Sequence, residues 1–106
     1  MRFTILALRP VVREYDVGSV AKLRRLGGGK PKMTAAFVLH ATLGMRLDEI
    51  ASVLRTTVED VCIWQRLIAV MLYQDRRVYE VIRRCARAAD VAVDAEMNRG
   101  ERKSVV

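Results

Sequence analysis

Residues 43–67, LGMRLDEIASVLRTTVEDVCIWQRL, limit what this chain can fold into more than any other stretch. Leu47, Ile50, Ala51 and Leu54 recur at i, i+3, i+4 and i+7, the spacing of one buried helix face. Asp48 and Glu49 stand in the first turn, where the helix dipole favours negative charge. Thr56 with Glu59, and Thr57 with Asp60, both have capping-box spacing, so a second helix starts near residue 57. Val61, Trp64, Ile68 and Leu72 give that helix an inward face. Ala51 is small where the second helix must cross the first closely. Two short helices joined by a tight turn read as a helix-turn-helix, a unit that most often sets its second helix in the DNA major groove.

The flanks read as helices too. Pro10 suits the first turn of a helix carrying Val11, Val12 and Tyr15 and ending near Gly18. Ser19 is a good N-cap for a short helix with Val20, Leu23 and Leu26 inward, and Lys22, Arg24 and Arg25 on its other sides. Gly27, Gly28 and Gly29 stop it; three consecutive glycines hold no single conformation unaided, so this loop is expected to be mobile or ordered by a partner. Pro31 opens an almost wholly apolar helix through Met33, Phe37, Leu39, His40 and Leu43, expected to be central, with Gly44 ending it. After Gln74–Arg77 breaks the apolar run, Val78, Ile82, Cys85 and Ala89 stripe a last helix expected to fade past Met97. The sum is an all-α, compact domain of about six helices containing a helix-turn-helix, over residues 1–97, with a polar tail at 98–106.

Charge narrows the function. The 106 residues carry 19 basic and 12 acidic side chains, a net +7, which suits an anionic partner. Residues 1–32 hold eight basic and two acidic residues, whereas 33–72 hold three and four. The two-helix unit is therefore not the basic part; its N-terminal flank is. Cys62 and Cys85 fit no metal-ligand or redox spacing and read as reduced core thiols of a cytoplasmic protein. His40 has no second ligand at useful spacing and reads as a hydrogen-bonded or half-buried side chain. The opening MRFTILAL is cut short by Arg9 and Pro10, too short to span a bilayer. No nucleophile has a base at usable spacing, and GGGK lacks the strand before it and the Ser or Thr after it that a phosphate loop needs. The expectation is a non-enzyme without metal, cofactor, small-molecule substrate or membrane.

The order of parts resembles a known family. A helix ending in YDVGSVAKLRR, a basic loop, a long apolar helix ending in LG, then LDEIASVL, a capped helix and YQDRRVYEVIRR are similar to the carboxy-terminal DNA-binding domain of the bacterial replication initiator DnaA. The likeness over residues 10 to 85 is greater to the small stand-alone DnaA-like helix-turn-helix proteins. It implies a Trp-repressor-like helical domain that reads a short DNA element with its second motif helix while a basic loop grips the neighbouring minor groove and phosphates. The loop role falls on Arg24, Arg25, Lys30 and Lys32. The family's Gly-Arg-Asp-His-Thr-Thr-Val segment corresponds to Arg55–Val61 here, with Val58 in place of a base-reading His and Glu59 and Asp60 in place of two Thr. Arg66 matches a later basic position.

Two readings follow. In the first, the chain binds double-stranded DNA and regulates transcription or replication initiation, with Lys22, Arg24, Arg25, Lys30, Lys32, Arg46, Arg55, Thr56, Thr57, Gln65 and Arg66 as the contacting set. Gln65 and Arg66 would then set sequence preference, and the basic residues around the glycine loop, with Arg46, Arg55 and Arg66 adding to them, the phosphate grip. In the second, base readout is lost and the chain is an adaptor binding a replication or transcription factor, or itself. Glu59 and Asp60 repel phosphate, and Cys62, Ile63, Leu67 and Val70 add apolar groups off the inward face. The simpler account of that apolar excess is cover by the last and N-terminal helices. The other is a homodimer or protein contact through the helix of residues 58–72.

Overall fold

The computed structural model describes the backbone of residues 2–105 and the side chains of residues 2–99. Six helices follow one another: α1 (Arg2–Glu14), α2 (Val20–Arg25), α3 (Lys30–Leu43), α4 (Leu47–Val53), α5 (Val58–Gln74) and α6 (Arg76–Val105). The all-α expectation of about six helices holds. Helix α3 is the hub and touches each of the other five. Its apolar sequence explains the position: Met33, Ala35, Ala36, Val38 and Leu39 are all buried. Gly44, in the left-handed region at φ 62°, closes it, with Gly44 N–H donating to His40 C=O and Met45 N–H to Leu39 C=O. His40 is exposed, and its Nδ1 lies 3.2 Å from the Met45 carbonyl.

The first helix differs from its expected course. It begins at Arg2 and carries Pro10 inside it rather than starting there. Pro10 has no N–H for the Leu6 carbonyl, a defect of about 3 kcal/mol in a helix interior. Burial of Ala7, Leu8 and Val11 offsets it, at about 1.5–3 kcal/mol for each of the larger side chains. The partner is α6, which runs antiparallel: Arg2 pairs with Glu96 at 2.7 Å and Glu14 with Arg84 at 2.7 Å. Helix α6 also exceeds expectation, continuing past Met97 to Val105; the side chains of the polar tail from Gly100 onward lie outside the described residues. Thirty residues of helix span about 45 Å, close to the 47 Å longest dimension of the molecule. No helix among the described residues is long and apolar enough to cross a membrane.

Candidate nucleic-acid interface

Local chemistry builds the junction between α4 and α5. After Val53 the chain enters the left-handed region at Arg55 (φ 55°), and Thr56 N–H returns to the Ala51 carbonyl at 2.9 Å. Thr57 is the N-cap of α5; its hydroxyl accepts from Asp60 N–H at 3.1 Å. The Thr56 hydroxyl donates to the Asp60 carboxylate at 2.8 Å. Asp60 is thereby turned back into the junction and half-buried, so of the two acidic residues only Glu59 stands fully outward.

The basic flank lies beside this junction. Arg24 is half-buried and its Nε donates to the Val53 carbonyl at 2.7 Å, fastening the end of α2 to the end of α4. Ser19 caps α2 by accepting from Lys22 N–H, and leaves the Lys22 side chain exposed. Arg25 and Arg55 are exposed as well. Lys32, expected among the phosphate contacts, is only 2% exposed. It lies beneath the junction beside Arg55 and Asp60, where burial and the Arg55 charge hold its ammonium below the ordinary 10.5 and Asp60 opposes the shift. A lysine so enclosed offers a phosphate little surface. Lys30, two residues earlier and so on the other side of α3, is exposed toward the far end of α5, beside Met71 and Asp75. The two lysines therefore do not form one patch. Arg46 is exposed at the start of α4 but paired with Asp48 at 3.3 Å and Glu49 at 3.5 Å, which lowers its free charge.

Helix α5 presents a mixed outer face. Val61, Trp64 and Ile68 are buried as their spacing predicts, and Leu72 packs against the core half-buried. Gln65 is half-buried and stands off the outermost line, so it is poorly placed to set base preference. Glu59, Ile63, Arg66, Leu67 and Val70 share the outer side, all exposed. Ile63 is 53% exposed, Leu67 47% and Val70 51%. The expected cover by the terminal helices is absent there: α6 packs on another side of α5, and α1 packs chiefly on α6 and α3.

Other basic residues sit elsewhere. Arg9 and Arg13 project from α1, and Arg83 lies over the Tyr79 ring at 6.0 Å on α6. Arg13 lines a groove with Pro10, Arg84 and Cys85, on the side of α1 that meets α6. Cys62 and Cys85 are both free thiols, half-buried and buried respectively. No family model, no curated protein and no solved structure matches this chain.

Proposed function

We propose that this chain binds double-stranded DNA by a salt-sensitive phosphate grip centred on the α4–α5 junction, and acts in transcription or replication control. The observation that carries the reading is the Arg24–Val53 hydrogen bond at 2.7 Å, because it holds the basic α2 segment alongside the junction. Lys22 and Arg25 are the exposed cations of α2 and Arg55 that of the junction, with Arg66 further along α5. Four phosphate contacts would give a log–log salt slope of about −3.6, and so roughly a 100-fold loss of affinity between 50 and 200 mM salt. The left-handed Arg55 backbone falls where the resembling family carries glycine, which also favours this reading.

A fluorescence-anisotropy titration of duplex DNA at several salt concentrations tests it. Arg25→Ala should lower the slope by about 0.9 and weaken binding to all sequences alike. Binding that is absent at low salt, or equally strong in the variant, removes the proposal. The exposed Ile63, Leu67 and Val70 favour a second reading, a protein contact or homodimer through α5 that replaces base readout. Sedimentation over a range of concentrations separates them: a dimer dispersed by Leu67→Glu, with no DNA binding, establishes the second.

A further inference from the structure

We infer that the chain carries a small-molecule site, a cleft for an amphipathic carboxylate where α1, α3, α5 and α6 meet. The cleft has a volume of about 430 Å³, within the ~300–1,000 Å³ range of pockets that hold small ligands. Its floor is apolar and buried, made by Met33, Ile68 and Ile82. Its rim is charged and exposed: Glu14, Lys30, Asp75 and Arg77. Apolar depth with polar groups at the mouth suits a ligand with a greasy body and a charged head.

The sign of that head follows from which rim groups are already engaged. Glu14 pairs with Arg84 at 2.7 Å. Asp75 caps α6, its Oδ1 accepting from Arg77 N–H at 2.9 Å. Lys30 and the Arg77 guanidinium have no carboxylate partner among the described residues. Asp75 keeps its charge while capping, so two unpaired cations stand against one unpaired carboxylate, the mouth is net positive, and the head is negative. The wall adds a donor. Tyr15 Oη and Thr34 Oγ1 lie 2.8 Å apart, so one hydroxyl hydrogen serves that bond and the other remains for a ligand. Arg77 with its five fixed donors favours a planar carboxylate.

The site also adjoins, through Lys30, the run of three glycines. Lys30 follows Gly29 directly, so a ligand held by Lys30 and Arg77 ties the loop of residues 27–29 to the start of α6. This inference goes beyond DNA binding and does not rest on it.

A methyl NMR titration of the full chain with octanoate, with octylamine and octanol as matched probes, tests the site. Octanoate should give saturable shifts of the Met33 and Met71 methyls, and the other two probes should not. Lys30→Ala and Arg77→Ala should each weaken octanoate about tenfold, the value of one charge-assisted contact. Arg87→Ala, an exposed change away from the cleft, should leave it unaltered. No saturable shift, equal binding of octylamine, or indifference to both cleft variants overturns the inference.

Discussion

Lys32 offers the sharpest test of how this fold is held. Its side chain is 2% exposed, beneath the α4–α5 junction. Burial, reinforced by Arg55, favours its neutral form, so the folded chain binds its proton less tightly than the unfolded chain, whose lysine titrates at 10.5. The unfolded state therefore holds more protons between the lowered folded value and 10.5. Stability must rise with pH across that window, and the penalty is complete and constant below it. Lys32→Met keeps most of the apolar stem and removes the charge. Replacing a buried ion by an apolar side chain of similar volume is commonly neutral to stabilising by about 1–4 kcal/mol. A gain near the low end, about 1 kcal/mol, is expected because Asp60 already offsets part of the cost; the melting temperature would rise by about 4–8 °C. Lys32→Ala lacks the methylene, sulfur and methyl that the Met variant would bury, so it should lie about 2–3 kcal/mol below that variant. Thermal and urea unfolding followed by circular dichroism at neutral and alkaline pH measure both. The wild-type gain at high pH should vanish in the Met variant. A Met variant that is less stable than wild type by 1 kcal/mol or more, or whose DNA affinity falls as far as that of Arg25→Ala, refutes the burial argument.

Arg24→Ala should cost about 1–3 kcal/mol through the lost charge-assisted bond to Val53 and the carbonyl left behind, seen as a lower urea midpoint; Arg25→Ala should leave that midpoint within about 0.5 kcal/mol. Gly28→Ala has open space and an ordinary backbone, so it should be neutral or stabilising by about 0.4–1 kcal/mol, whereas Gly29→Ala at φ 90° should destabilise. Thr57→Ala should cost about 1 kcal/mol, and Thr57→Ser little, by the same unfolding assay. Burial pushes the Cys85 thiol up to about 11, with Glu14 adding and Arg84 opposing, so a thiol reagent at mildly alkaline pH should label half-buried Cys62 well before Cys85.

What the sequence disclosed was local. Ser19, Thr57 and Gly44 mark helix ends because a cap is decided by a few neighbouring residues. Val61, Trp64 and Ile68 declare the inner face of α5 because helical spacing depends on nothing distant. What it hid was tertiary. A helix through Pro10 is stable because α3 and α6, the latter some seventy residues away, pack on it and bury Ala7, Leu8 and Val11. The enclosure of Lys32 depends on α3 meeting the α4–α5 junction, and no rule about loop lysines contains that. The apolar excess of α5 was visible, but whether anything lay over it was not. The cleft draws on four helices, and its charge balance turns on ion pairs such as Glu14–Arg84 that join opposite ends of the chain.

The antiparallel clasp of α1 and α6 bears on how the protein comes into being. Residue 2 meets residue 96, and residue 14 meets residue 84. At about 5–20 residues per second, a ribosome takes roughly 4–16 s to move from position 14 to position 96. For that interval the side of the nascent first helix that α6 will cover has no mate, and only α3 is there to shield the rest. A ribosome stalled before α6 emerges would display an adhesive segment rather than a folded domain.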